Sequence, residues 1–433
     1  MSDREERIIS ATPPLRIAMA LYGDLTFDSR VQREARSLAE AGYRVVVACL
    51  DASESTPGDL APVEVVVVRP RRTDALPTGE GPFLRPAATE PSRAGRVLAI
   101  PRTLLDRVRW LVDYRATLLE WGRLAVDAVG PVDRWHAHDL TGLLAIDAAI
   151  DRSLGRVYDA HEIFVETGSA ARLPWMARRL IARFEGRLAR RAGATIAVNP
   201  GIAALLTRWG RLTNVVVVRN CLPRQDPSLR QRDALRSGLG LPAETRIVLF
   251  HGNLAVDRGI ERVVDLLGTG SLGEAHVVCL GNGELTPWLR ERAADPSVDG
   301  RLHVLSAVPP AELPALVASA DVGVVLQQPT DLNLRLSTPN KLWECLAVGT
   351  PVVASDFPEI RRVVVGDPDG PLGLVCDPTD GDAIATAVRS LAEADEAARR
   401  DLRARCLRAA AERWNWETEA GRLVELHRSL DPH

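Results

Sequence analysis

Ser337-Thr338-Pro339-Asn340-Lys341-Leu342-Trp343-Glu344-Cys345-Leu346, followed within a few residues by Pro351-Val352-Val353-Ala354, reads as one helix feeding one short buried strand. Pro339 can open the helix because the first turn does not need its missing N–H, and Leu342, Trp343 and Leu346 supply the apolar face. Short apolar strands that alternate with longer helical patterns make a parallel sheet covered on both faces. The same alternation runs outward from this stretch through most of the chain.

Toward the N-terminus the strand candidates are Ile247–Phe250, His276–Leu280, Leu302–Leu305 and Val322–Leu326, with Leu372–Val375 following the stretch. A polar, proline-bearing segment, Leu222–Ala243, precedes this set. Before it lies a second set at Leu15–Leu21, Tyr43–Leu50, Val63–Val68, Trp135–Ala137, Arg156–Tyr158, Ala194–Val198 and Val215–Val218. In the helix between the first two of these, Val31, Ala35, Leu38 and Ala39 share a face, and Gly42 ends it. The expected organisation is two Rossmann-like α/β domains, 1–222 and 223–400, with a helical tail over 401–433 that packs back on the N-terminal domain. Trp414 and Trp416 are read as anchors for that tail. Arg72–Arg96, rich in Pro, Gly and Arg, reads as a loop.

Length and composition agree with this organisation. The chain has 433 residues, 46% of them hydrophobic, which is enough for two cores. A formal charge of −3 gives no overall attraction for nucleic acid, and none is expected as a partner. Six scattered cysteines without a CxxC read as small buried hydrophobes in a reducing compartment. The charged opening and the lack of an apolar run of membrane-spanning length lead to an expected cytoplasmic location, with peripheral contact on the inner face of the membrane as a further expectation. The basis for that contact is Leu104–Arg123 and Leu173–Arg191, helical patterns in which arginines mix with Trp, Leu and Ile. A solvated arginine face is the alternative.

Lys341 is the one lysine in the chain, against 53 arginines. An ammonium is a compact point charge, and at the positive end of a helix it adds to the attraction for phosphate. Open parallel sheets place ligands beyond the carboxyl ends of their strands, and five loops fall there. They are Gly23-Asp24 with Asp28 as a helix cap and Arg30 beyond it; His136-Ala137-His138-Asp139, in which His138 and Asp139 are expected to be exposed; Asp159-Ala160-His161-Glu162; His251-Gly252-Asn253 with Arg258; and Gly281-Asn282-Gly283. The glycines of the last loop would let a flat ring or a phosphate approach the backbone. The second and third loops could together hold a metal, yet neither has a recognised zinc spacing. Polar substrate contacts are the preferred reading, and no metal is expected.

These segments together resemble the retaining glycosyltransferases of the family-4 type, whose GT-B fold has two facing Rossmann-like domains and an interdomain cleft. The resemblance is carried by STPNKLWECLAVGTPVVASDFPEI (337–360), DSRVQREARSLAEAGYRV (28–45), HAHDLTGLLA (136–145), YDAHEIF (158–164), HGNLAVDRGIE (251–261), GNGE (281–284) and ASADVGVVLQ (318–327). It implies transfer of a hexose from a nucleoside-diphosphate sugar, a UDP-sugar favoured, to the hydroxyl of an unidentified acceptor, lipid-linked or of the cell envelope, with no cofactor. It further implies that Gly23 lines the donor phosphates, that His138 sits beside the transferred sugar, and that Arg258 and Lys341 neutralise the leaving diphosphate. Glu344 would take the ribose hydroxyls, the backbone at Ser337, Thr338 and Pro339 would cradle phosphate, and Gly281 and Gly283 would lie near the base. Two positions depart from the family pattern. Leu336 stands where a glutamate is usual, which removes a carboxylate expected near the sugar, and Asn253 stands where an arginine is often found, which leaves more of the phosphate charge to Arg258. The competing readings are a nucleotide-sugar epimerase and a noncatalytic nucleotide-sugar-binding protein.

Overall fold

The computed structural model describes residues 13–53, 56–71 and 113–432. The loop expected over Arg72–Arg96 and the first part of Leu104–Arg123 lie outside the described residues; from 113 onward that second segment is helical, to residue 129. Two compact units are present. The first runs to Ile196 and takes in Arg208–Val215 and the residues from Leu423 onward, while the second comprises Ala197–Thr207 and Val216–Arg422. The C-terminal tail is thereby divided, and only its last part, from Leu423, belongs with the first unit.

The first unit is built on a seven-stranded sheet. Its strands are β1 (Arg16–Asp24), β2 (Arg44–Asp51), β3 (Glu64–Val67), β4 (Arg134–His138), β5 (Gly155–Ala160), β6 (Ala194–Ala197) and β7 (Val215–Val217), in the order β3-β2-β1-β4-β5-β6-β7. The pairs β2–β3, β1–β2, β1–β4 and β4–β5 are parallel. In the second unit β8 (Ile247–His251), β9 (His276–Leu280), β10 (Leu302–Leu305), β11 (Val322–Val325), β12 (Val352–Ser355) and β13 (Gly373–Cys376) form a sheet of order β10-β9-β8-β11-β12-β13. All five of its pairings are parallel.

Alternation along β8 explains why the strand must be apolar throughout. Ile247 and Leu249 enter one core with Trp343 and Leu346, whereas Val248 and Phe250 enter a second core with Ile260 and Val264 on the opposite face. A strand covered on both sides has no face for polar residues. Trp414 packs against the first of these cores, 5.7 Å from Trp343 between ring centroids, and Trp416 is buried.

Strand order reverses beside β1 in the first sheet and beside β8 in the second. At such a reversal the connections leaving the two central strands diverge and open a crevice at their carboxyl ends. In the first unit the loops after β1 and β4 border it, and in the second those after β8 and β11 do so. Among the described residues no helix is long and apolar enough to cross a membrane.

Candidate active site

The second unit gathers most of the predicted residues. The helix Asn340–Ala347 has Pro339 as its N-cap, so it begins one residue later than expected, and Lys341 stands in its first turn. Lys341 Nζ lies 3.4 Å from the centroid of the Phe250 ring at the end of β8. The ring face attracts the cation but supplies no hydrogen-bond acceptor. Burial first, and then the neighbouring Arg258 charge, push the Lys341 ammonium down to about 7. A buried ammonium that stacks on a ring and feels a second positive charge is stabilised by an incoming anion.

His251 ends the same strand, with its Nε2–H donating to Glu344 Oε2 at 2.8 Å. Lys341 and Glu344 are three residues apart on one helix, so both side chains face the β8 end. Ser337 Oγ donates to Leu334 O and Gln327 Oε1, each at 3.1 Å, which fixes the turn leading into Pro339. Asn253 is exposed in the loop after β8, and Leu336 closes the short helix Leu332–Leu336, where its carbonyl accepts from Asn199 Nδ2 at 2.8 Å. The pairing of His251 with Glu344 and the ring of Phe250 were not foreseen as site features. The signal was an aromatic residue directly before a polar strand end.

The Gly281–Gly283 loop packs closely on the loop after β8. Gly281 has φ +150°, and a Cβ built on it would meet Gly252 O at 1.9 Å; one on Gly283 would meet Leu254 O at 2.3 Å. Leu254 N donates to Asn282 O at 2.9 Å, and Gly252 N to Leu280 O at 2.9 Å. On the Cβ side of both glycines the space is filled by backbone of the neighbouring loop. These glycines therefore lock the β8 and β9 loops together.

In the first unit, Gly23 lies within β1 beside a register irregularity, and Asp28 caps the next helix by accepting from Val31 N at 3.0 Å. His138 is not exposed as expected: 1% of its surface is accessible, because β4 extends through it and pairs it with Asp159. Asp159 Oδ2 accepts from Arg30 Nε at 2.9 Å, while Oδ1 accepts from Arg30 Nη2 at 3.0 Å. Its Oδ2 also lies 3.3 Å from His138 Nδ1 and 3.1 Å from His161 Nε2. Arg30 Nε is 2.9 Å from Glu34 Oε1 as well.

The titrations of this cluster follow from its burial. Burial alone would raise Asp159, but Arg30, His161 and the histidine hydrogen bonds overcome it and hold the carboxyl well below its usual range. Burial would lower His161, yet Asp139 and Asp159 raise it to about 10. Burial pushes the Glu34 carboxyl up to about 8 against the pull of Arg30, and lowers His136 and His138. Glu34, His136, His138 and Asp159 bring potential ligand atoms within 4.8 Å of one another. Arg30 already sits against both acids of this set, pairing with the ionised Asp159 and lying beside Glu34, and a guanidinium so close would repel a cation. The cluster fits a metal poorly.

Two family descriptions match the chain: "Glycosyl transferase 4-like domain" over residues 28–221 and "Glycosyl transferases group 1" over residues 245–394. The chain belongs to the GT-B glycosyltransferases of the family-4 type. Among curated relatives, the transferase is 30% identical over 205 residues to a GDP-mannose-dependent alpha-(1-6)-phosphatidylinositol monomannoside mannosyltransferase of Mycolicibacterium smegmatis, covering 46% of this chain and 52% of that protein. It is 25% identical over 372 residues to glycogen synthase of Mycobacterium tuberculosis, covering 81% and 84%. The match therefore spans about half of the first relative and most of the second. Among solved structures, Anabaena HepE in complex with UDP superposes with a TM-score of 0.65 at 16% identity, covering 96% of the transferase and 100% of that chain. WaaG, a glycosyltransferase of lipopolysaccharide biosynthesis, gives 0.61 at 14% identity, with 95% and 99% covered. At these identities the superpositions establish the fold.

Glu344→Gln checks one assignment at this site. The variant keeps the size of the side chain but removes the charge that holds His251 and would accept ribose hydroxyls. Nucleotide affinity measured by calorimetry is expected to fall roughly tenfold, the scale of a charged hydrogen bond, with a smaller loss of rate at saturating donor. Unchanged affinity would remove Glu344 from nucleotide binding.

Proposed function

We propose that this transferase moves a hexose from a UDP-sugar to a hydroxyl of a lipid-linked or cell-envelope acceptor, with retention at the anomeric carbon. The observation that carries the donor reading is the Lys341 ammonium in the first turn of the helix Asn340–Ala347, held over the Phe250 ring at the end of β8, with the Arg258 charge acting on it. When the bond from the anomeric carbon to the leaving phosphate oxygen breaks, its electrons remain on that oxygen. Preorganised cations and the positive end of the helix Asn340–Ala347 stabilise the charge as it grows. The acceptor oxygen then bonds to the same carbon from the same face, and its proton passes to the departing phosphate. No protein base is required for that transfer.

Glu344 and the backbone from Ser337 to Pro339 hold the ribose and phosphates, with Gly23 of the first unit and Asn253 as further donor contacts. Gly281 and Gly283 lie near the base and fix the β8 loop. His138 orients the sugar through Nε2, which no described protein group engages. It is enclosed, so that role requires neighbouring side chains to move when donor enters. The helix Trp175–Ala189 supplies peripheral contact with an anionic membrane on the cytoplasmic side; its exposed Met176, Leu180 and Phe184 support this.

Calorimetric titration with UDP, GDP and ADP tests the donor, and GDP is the second reading because one relative is GDP-mannose-dependent. The expected result is tight binding of UDP with affinity that depends on pH. Below about 7 Lys341 is already charged, and above that value binding must take up a proton. Affinity should therefore be full on the acid side and fall by nearly tenfold per pH unit above it, until the pKa of the bound state is reached. A preference for GDP would overturn the UDP assignment. Binding of no nucleotide at any pH would overturn the whole site.

A further inference from the structure

The helix Trp175–Ala189 crosses the end of the helix Pro200–Gly210 at two glycines. A Cβ built on Gly186 would fall 2.5 Å from Gly210 Cα, so the backbones meet with no side chain between them. This close crossing gathers arginines from both helices around one cavity of about 760 Å³ in the first unit. Arg178 is held by Glu166 at 2.9 Å, and Arg190 donates to Gly210 O. Arg179, Arg183, Arg208 and Arg211 also line the cavity, and none of these four has a hydrogen-bonding or ionic partner among the described residues. With Glu166 already paired, four guanidiniums remain for an anion.

The rim of the cavity is apolar. Trp175 is 64% exposed and Trp209 38%, and both line the opening. Met176, Leu180 and Phe184, spaced four apart, form an exposed stripe on the same helix beside Arg179 and Arg183. A freely dissolved phosphate compound has no use for such a rim. A bilayer does, since tryptophan favours the headgroup level and aliphatic side chains enter the acyl boundary.

We propose that this arginine cavity binds the phosphate headgroup of a membrane lipid, with the stripe Met176–Leu180–Phe184 resting in the bilayer. The inference rests on the membrane-acceptor reading above and names the headgroup chemistry that holds the protein on that membrane. A terminal phosphate presents more oxygens to paired guanidinium forks than a phosphodiester does, so discrete recognition differs from attraction to a charged surface.

Vesicle flotation with the full chain separates the cases. Phosphatidylcholine vesicles would carry phosphatidic acid or, at matched surface charge, phosphatidylglycerol. Phosphatidic acid vesicles are expected to bind roughly tenfold more tightly. Replacing Arg179, Arg183, Arg208 and Arg211 with glutamine should abolish that preference, while Leu180→Ser should weaken binding to both lipids alike. Equal binding of the two lipids by the native chain, or a preference kept by the glutamine variant, would overturn the cavity assignment. Soluble glycerol 3-phosphate that displaces the protein from vesicles at concentrations matching the lipid phosphate would show a free phosphate ligand and overturn the lipid. Circular dichroism establishes that each variant is folded. Nucleotide affinity, expected to be unchanged in the glutamine variant, reports separately on the donor site, so failure there is distinguishable from failure here.

Discussion

Lys341→Ala and Arg258→Ala are each expected to lower the turnover of donor by on the order of 10²-fold or more, because each removes a cation from the leaving phosphate where water is largely excluded. Neither change should unfold the protein. Burial disfavours the charge of Lys341, so its removal relieves a cost, and Arg258 has no hydrogen-bonding or ionic partner among the described residues. The two variants should differ in their pH dependence. Arg258 is one of the groups holding Lys341 down, alongside burial, whereas Glu344, Cys345 and Cys279 pull it up. In Arg258→Ala the ammonium should keep its proton to higher pH, and the alkaline limb of nucleotide affinity should move the same way. Near-normal turnover in both variants, measured by single-turnover kinetics with a radiolabelled donor, would exclude the phosphate clamp.

The donor side of the site was legible for a physical reason. Both strands that border the second crevice are buried on two faces, so their apolar runs mark their own ends, and the polar residues that follow must lie at the carboxyl edge of the sheet. The loop His251–Asn253 was read this way, whereas the segment from Ser337 to Lys341 was read from the lone lysine and from Pro339 at the start of a helix. The buried network of the first unit was less legible. His138 follows a short apolar run and reads as the first residue outside a strand, but β4 continues through it and pairs it with Asp159. Glu34 carried a signal that was passed over: it lies three residues after Val31 and four before Leu38, on the helical face that enters the core. A carboxylate on such a face needs a partner, and Arg30, four residues earlier, provides one. No local pattern could show that Arg134 at the start of β4 donates to the carbonyl of His427 at 2.9 Å, because that contact joins residues 293 apart. The packing of the β9 loop on Gly252 and Leu254 was not legible either, since a glycine that admits ligand and one that admits neighbouring backbone are the same in sequence.

The network in the first unit predicts unequal costs for its two acids. Asp159 is ionised and accepts both hydrogen bonds of the buried Arg30 guanidinium, with His161 charged on its other side. Asp159→Ala leaves the buried Arg30 without its main counter-charge and His161 with Asp139 alone, and breaking such a buried pair costs about 3–5 kcal/mol. Glu34 is different, because burial raises its carboxyl to about 8 and it is largely protonated at neutral pH. The amide oxygen of Glu34→Gln can stay beside Arg30 Nε, which lies 2.9 Å from the present Glu34 Oε1, and its NH₂ can face His136 Nε2, which lies 3.5 Å from the present Glu34 Oε2. That variant should cost less than about 1 kcal/mol, the worth of an ordinary hydrogen bond. Urea unfolding of the two variants at neutral pH decides the matter. Equal, large losses would mean that Glu34 is ionised and paired like Asp159, and would reopen the cluster of Glu34, His136, His138 and Asp159 as a cation site. A large loss for Asp159→Ala with little change for Glu34→Gln would identify Arg30 as the cation around which the histidines are ordered.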